Sequence, residues 1–272
     1  MIHPRAIVDS GADLAPDVEV GPFSVIGPEV EIDRGTTIGS HVVLEGPTRI
    51  GRNNRIHSFA SLGGAPQDMK YKGEASRLEI GDDNVIREYC TFNRGTEPGG
   101  MLTRIGDRNW IMAYVHIAHD CLLGNGIVMA NAASLAGHVE IDDEAILGGF
   151  STVRQFCRIG TGSFLAMSSC ALKDVPPFIT AAGNPASPYG LNSEGLRRRG
   201  VSAEVVQSLK KAYHTVYRQG LSVDDAISRL KGIAAEVPQV ERFCAFVRQS
   251  KRGIVRDRSS RREDTPPSAS EP

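Results

Sequence analysis

The chain has 272 residues, with 29 Gly, 15 Pro, one Trp and an aromatic share of 6%. No apolar run approaches the ~18–20 residues of a membrane span, and the opening Met1-Ile2-His3-Pro4-Arg5 is not a secretory leader. Five scattered cysteines with no Cys-x-x-Cys argue against a disulfide framework or a zinc ribbon and fit a reducing, cytoplasmic setting. The net charge of −1 divides unevenly: 15 Lys+Arg against 22 Asp+Glu before Leu191, then 16 against 10 from Leu191 onward. A basic C-terminal part on a mildly acidic body points to an anionic partner at that end.

From its start the chain repeats every six residues. Ile2, Val8, Leu14, Val20, Ile26, Ile32, Ile38, Leu44, Ile50, Ile56 and Leu62 follow without a miss. Gly comes next at Gly21, Gly27, Gly39, Gly51 and Gly63, and the position four after the aliphatic residue is small or β-branched at Ala12, Val18, Ser24, Val30, Thr36, Val42, Thr48 and Ala60. Neither an amphipathic helix nor a meander of long strands has this period. A hexad is one short strand plus a corner, and three hexads close a triangular coil of about 18 residues. The aliphatic residue points inward and stacks on its counterpart 18 positions away. The small residue fits where two walls meet, and Gly is expected to supply the corner backbone. A narrow aliphatic prism leaves little room for rings, which accounts for the low aromatic content.

The period lapses near residues 64–78, returns at Ile80, Ile86 and Phe92, and lapses again over 93–104. It then runs from Ile105 through Ile111, Ile117, Leu123, Met129, Leu135, Ile141, Leu147, Val153 and Ile159 to Leu165. The two lapses are expected to leave the prism as loops, where function tends to sit. Asp174-Val175-Pro176-Pro177 is expected to end the prism. Ser202 then opens an amphipathic helix to about Tyr217, Ser222 with Asp225 reads as the cap of a second, and Pro238 opens a third to about Ser250. The polar, Pro- and Ser-rich residues 257–272 read as a disordered tail. The expected organisation is a β-helix over 1–190, an α-helical domain over 191–256, and that tail.

Repeat phase also says where polar residues point. His116 precedes the inward Ile117 and faces out. His119, Gly137 and Gln155 each lie two after an inward residue, 18 apart, and so form one column on one edge, with His138 beside Gly137. Imidazoles gathered on an edge suit proton transfer near neutral pH, and a backbone N–H at a Gly corner can meet a developing oxyanion. Zinc is the alternative for clustered imidazoles, but the column holds no Cys and no second carboxylate, so no metal is expected. Cys121 sits two residues from His119, yet its phase is the small inward position, as is that of Cys157. Both read as core thiols, which leaves a base without a neighbouring nucleophile and favours direct transfer.

The segments His116-Ile117-Ala118-His119-Asp120-Cys121, Leu135-Ala136-Gly137-His138-Val139, Gln155-Phe156-Cys157, Asn192-Ser193-Glu194-Gly195-Leu196-Arg197-Arg198-Arg199-Gly200 and Gln67-Asp68-Met69-Lys70-Tyr71 resemble the acyl-[acyl-carrier-protein]–UDP-N-acetylglucosamine O-acyltransferases, hexapeptide-repeat enzymes of lipid A synthesis. The likeness runs from His3-Pro4 to about Arg256. It implies a left-handed parallel β-helix followed by a small α-helical domain, and a homotrimer with active sites between neighbouring prisms. It implies transfer of an (R)-3-hydroxyacyl group from the phosphopantetheine of an acidic acyl carrier protein to the 3-hydroxyl of UDP-N-acetylglucosamine, or to the 3-amino group of its 3-amino analogue, with no separate cofactor, no nucleic acid and no membrane span.

By the same resemblance His119 is the general base, Asp120 its orienting partner and Gly137 the oxyanion-binding backbone. Gln67, Asp68, Lys70 and His116 match sugar contacts, and His138 and Gln155 lie near donor and nucleotide. Asn192, Glu194, Arg198 and Arg199 match contacts to the uridine and diphosphate, where a planar guanidinium suits phosphate. The basic helices become a dock for the carrier protein. Three departures stand out. Arg154 and Pro185 replace histidines seen in some members, and a permanently charged Arg154 cannot shuttle a proton. Met167 stands where some members have Gly, in an exposed column with Asn131 and Gly149, and is expected to shorten the acyl groove to donors of about ten to twelve carbons. The runner-up readings are a later N-acyltransferase of the same pathway, an acyl-coenzyme A transferase of the same repeat, and a non-catalytic hexapeptide trimer.

Overall fold

The computed structural model describes residues 1–256; the tail expected over 257–272 lies outside them. Each hexad forms a strand of two to four residues, and each strand pairs in parallel with the one three further along, so the strands fall into three sheets. Sheet I carries His116–Ile117, sheet II Leu122–Leu123 and sheet III Val128–Met129. The winding is that of a left-handed parallel β-helix. Register is set by the inward residues: Ile117 pairs with Leu135, Leu135 with Val153, and Val153 with Ala171.

The two lapses in the repeat are the loops 65–76 and 94–101. After each loop the register is restored, as Leu62 pairs with Phe92 and Phe92 with Ile117. The loops are therefore extruded from the prism without breaking its core.

The inward aliphatic residues are buried along the whole prism except at its first coil. There Ile2 is exposed and Val8 and Leu14 are half-buried, because no coil lies beneath them. Elsewhere burial of each Ile or Leu contributes roughly 1.5–3 kcal/mol, and ladder bonds satisfy the backbone. The position four after the aliphatic residue is also buried, including Cys90, Cys121 and Cys157.

The glycines do a different job from the one expected. The left-handed corner residues lie three after the inward position and are mostly not glycine: Phe23, His41, Phe59, Asp120, His138 and Phe156 all have φ between 58° and 65°. The glycine directly after the aliphatic residue serves close approach between coils. A Cβ on Gly21 would come within 2.7 Å of the Gly39 carbonyl in the next coil. The left-handed corners also carry the rings that the interior cannot hold. Phe23, His41, Phe59, Tyr89 and Tyr114 stack along the outside of the edge between sheets III and I, with centroids 4.9–5.1 Å apart.

Asp174–Pro177 does not end the prism. Ile179–Ala182 adds another parallel strand to sheet III, and Ser187–Leu191 pairs antiparallel with it. Four helices follow: α1 (Ser193–Arg198), α2 (Ala203–Arg218), α3 (Val223–Glu236) and α4 (Pro238–Gln249). Ser202 and Ser222 cap α2 and α3 as their spacing predicts, while the short α1, capped by Asn192, had no clear signal in the sequence. Leu209, Val216, Leu230, Phe243 and Val247 form the helical core. Buried Asp174 ties the segment after α4 to the prism. Its carboxylate accepts from the Arg158 amide and the Ser250 hydroxyl at 2.9 and 2.6 Å, and its amide donates to the Gly253 carbonyl.

The division of labour at the corners predicts opposite outcomes for two small changes. Gly21→Ala should cost about 1–3 kcal/mol through overpacking between coils. Ala132→Gly, at a left-handed corner with φ 60°, should be neutral within about 1 kcal/mol, because relief of backbone strain offsets the entropy of glycine. Denaturant unfolding of the two variants measures this. Equal losses would contradict the assignment.

Candidate active site

His119 and Asp120 occupy the edge where sheet I turns into sheet II, and both are buried. Asp120 is a left-handed corner residue (φ 61°), which swings its carboxylate back against the ring of His119. His119 Nδ1 lies 2.7 Å from Asp120 Oδ2. The loop 94–101 closes over the pair. The Thr96 amide donates to Asp120 Oδ1 at 2.7 Å, and the Thr96 hydroxyl donates to Oδ2 at 2.6 Å. The Asp120 amide in turn donates to the Thr103 hydroxyl at 2.8 Å. A Cβ on Gly99 would overlap the Asp120 carboxyl, so only glycine lets the loop come this close.

Burial alone would push the Asp120 carboxyl up. The hydrogen bonds from His119 and from the Thr96 hydroxyl and amide outweigh it and hold the group below the ordinary carboxylate range. The magnitudes agree: bonds to a charged acceptor are worth about 1.5–3 kcal/mol each, and three of them match the several kcal/mol that burying the ion costs. An ionised carboxylate only accepts. His119 must therefore donate from Nδ1, so in the neutral ring the lone pair lies on Nε2.

The coil above completes the centre. Gly137 stacks on His119 as its phase requires, and a Cβ there would come within 2.5 Å of the imidazole. The Gly137 N–H has no acceptor among the described residues. His138 meets His119 edge-on at 5.2 Å, stacks on Phe156 at 4.5 Å, and places Nε2 3.5 Å from Asp120 Oδ2. Burial lowers the His138 ring from its ordinary value, opposed by Asp120. The same cause lowers His116, whose Nδ1 is 2.7 Å from the Thr91 hydroxyl. A cavity of about 840 Å³ opens beside the centre, lined by Gly99, Asp120, His138, Phe156 and Arg252.

His119, Asp120 and His138 could each offer one ligand atom to a cation, all within 4.8 Å of one another. The carboxylate oxygens, however, are already engaged by Thr96 and His119. Cys121 is no nucleophile: burial pushes its thiol up to about 12, and that of Cys157 up to about 11.

The remaining predicted residues divide by edge. Asp68 lies on the loop 65–76, where its charge acts on His138, and its carboxylate accepts from the Lys70 amide at 2.9 Å. Gln67, Lys70 and Gln155 are exposed. Asn192, Glu194, Arg198 and Arg199 sit around α1, which docks on the edge between sheets II and III. Asn192 is buried there, accepting from the Gly195 amide and donating to the Gly162 carbonyl. Arg199 reaches the same carbonyl and pairs with Glu144 at 3.3 Å. Glu194 is pushed down to about 2 by hydrogen bonds from Arg197 and Arg198.

Met167 is exposed on the third edge, between sheets III and I, stacked above Gly149 and Asn131. The turn holding Pro185 lies one coil further along that edge. Arg154 is exposed. The chain thus brings together the His119 centre and the Asp68 loop, but holds the α1 residues and Met167 on its other two edges. Sequence reasoning missed Thr96, Gly99 and Thr103, because nothing in a break of the repeat says where its loop folds back.

Fold and centre together define a hexapeptide-repeat β-helix protein with a buried histidine–aspartate pair on one edge. Residues 174–255 match the family described as UDP-N-acetylglucosamine O-acyltransferase, domain 2. The acyl-[acyl-carrier-protein]–UDP-N-acetylglucosamine O-acyltransferase of Thiobacillus denitrificans is 59% identical over 255 residues, covering 94% of this chain and 99% of that one. That of Alkalilimnicola ehrlichii is 57% identical with the same coverage. Among solved structures, the UDP-N-acetylglucosamine acyltransferase of Francisella novicida superposes with a TM-score of 0.93 at 42% identity, covering 96% of this chain and 95% of that one. The chain belongs to the acyl-[acyl-carrier-protein]–UDP-N-acetylglucosamine O-acyltransferase family.

Proposed function

We propose that this protein transfers an (R)-3-hydroxyacyl group from acyl carrier protein to the 3-hydroxyl of UDP-N-acetylglucosamine, the opening step of lipid A synthesis, by direct attack in the cytoplasm. The family supports the reaction class. The observation that carries the mechanism is the buried His119–Asp120 pair, with Nε2 free and no ionisable thiol beside it.

His119 Nε2 takes the proton of the sugar hydroxyl as its oxygen attacks the thioester carbonyl. The oxyanion that forms meets the Gly137 N–H. Collapse breaks the carbon–sulfur bond, and the departing phosphopantetheine thiolate takes the proton back from the imidazolium. Ionised Asp120 stabilises that imidazolium and keeps its tautomer. The donor arrives on the carrier's phosphopantetheine, so the reaction needs no resident cofactor or metal.

The three edges support a homotrimer. Asp68, Gln67, Lys70 and His116 border the His119 edge and fit the sugar, with His138 and Gln155 beyond them. Asn192, Glu194, Arg198 and Arg199, suited to uridine and diphosphate, lie on another edge of the same prism and reach this centre only from a neighbouring copy. The same holds for Met167 as an acyl ruler. The basic helical end suits an acidic carrier protein.

Replacing the base tests the mechanism. In a transfer assay with UDP-N-acetylglucosamine and carrier thioesters, His119→Ala should lose ~10²–10⁴ in rate at an unchanged melting temperature. A loss under tenfold would contradict it.

Donor length tests the ruler. The wild type should prefer ten- to twelve-carbon donors and Met167→Gly should shift the optimum longer, each newly buried methylene being worth ~0.8 kcal/mol. A wild type that prefers fourteen carbons, with Met167→Gly unchanged, would refute it.

A further inference from the structure

We infer that Thr96 is a positioning residue for the transfer, the third member of a relay in which its hydroxyl and amide hold Asp120 so that Asp120 can hold His119.

The geometry leaves little choice of roles. Asp120 Oδ2 receives both His119 Nδ1 and the Thr96 hydroxyl, at 2.7 and 2.6 Å, while Oδ1 receives the Thr96 amide at 2.7 Å. One residue therefore grips both oxygens of the carboxylate. Thr96 and Asp120 are 3% and 4% exposed, so both bonds are largely shielded from solvent. Thr96 is itself locked, because its carbonyl accepts from the Gly99 and Met101 amides, and Gly99 lies flush against the carboxyl. The left-handed corner at Asp120 directs its carboxylate toward His119, and the two bonds from Thr96 hold it there.

Loss of the hydroxyl has two consequences. The carboxylate gains freedom to turn, so the imidazole is held less well for proton transfer and the maximal rate falls. The carboxylate also loses a donor that draws off its charge. It then binds the proton on His119 Nδ1 more strongly, and the imidazole becomes more basic. Among the described residues His138 from the next coil and His116 from the preceding strand act on the pair, Asp68 of the first loop acts on His138, and Glu140, Arg158, Lys251 and Arg252 line the cavity beside Asp120. Among the described residues the side-chain partner of Thr96 is Asp120, with no hydrogen bond or ion pair from Thr96 to any of these groups, so a change at Thr96 reaches the reaction through Asp120.

The test rests on the proposed transfer reaction, and wild type is the control: a wild type without transfer activity would fail that reading and not this one. With wild type active, Thr96→Val keeps the shape and removes the hydroxyl. Its kcat should fall about tenfold or more, with KM for both substrates within twofold, and the acid limb of its pH–rate profile should move to higher pH. Thr96→Ser should restore both. A Thr96→Val enzyme with wild-type kcat and an unmoved acid limb would overturn the inference, as would equal losses in the Val and Ser variants. A measurement on wild type stands apart from any folding defect: nitrogen NMR of His119 should show Nδ1 carrying a proton hydrogen-bonded to the carboxylate. A bare Nδ1 would equally overturn it.

Discussion

Everything in this protein depends on one constraint, the stacking of an inward aliphatic residue on its counterpart one coil away. Ile117, Leu135, Val153 and Ala171 cannot slip against one another without turning the core out to solvent. Because the corners follow the strands at fixed offsets, the same stacking aligns the polar edge residues in columns. His119, Gly137 and Gln155 are neighbours in space because Ile117, Leu135 and Val153 are. The rigid interior thereby gives the edge a geometry that no loop-built site would hold as tightly.

The chemistry adds a second demand to this frame, a charged carboxylate in a place where charge is costly. The prism cannot meet it alone, since its backbone groups are spent on the ladder. The loop 94–101 meets it by bringing the amide and hydroxyl of Thr96 to Asp120, with Gly99 giving the clearance. The interruptions of the repeat are thus where the frame acquires the donors it lacks, and the Asp68 loop adds a further charge beside His138.

The period of six made the prism, its inward ranks and the columns of edge residues legible, because a period reports direction as well as conformation. It placed His119 against Gly137, put Cys121 inside, and left Met167 in solvent. It misjudged the glycines, since phase alone does not distinguish a residue that needs a left-handed φ from one that needs room; Gly21 is the latter and Phe23 occupies the former. It ended the prism too early at Pro177, because Ile179–Ala182 continues sheet III without the hexad pattern. Thr96 and Gly99 were out of reach, as loop contacts depend on how the chain returns. The roles of Asn192 and Arg199 came from family likeness. The structure of the chain shows their structural duties, a helix cap and a tether to Glu144.

The central claim is that the acyl group passes directly from donor to sugar with no residue of the protein carrying it. Coil phase places the Cys121 thiol in the core, and the Thr96 hydroxyl is spent on the Asp120 carboxylate. Intact-mass measurement after mixing the protein with acyl carrier protein thioester, in the absence of the nucleotide sugar, tests this most directly. The account predicts an unmodified chain mass, with acylated sugar appearing only once UDP-N-acetylglucosamine is added. A chain heavier by one acyl group, chased to product by the sugar, would contradict it.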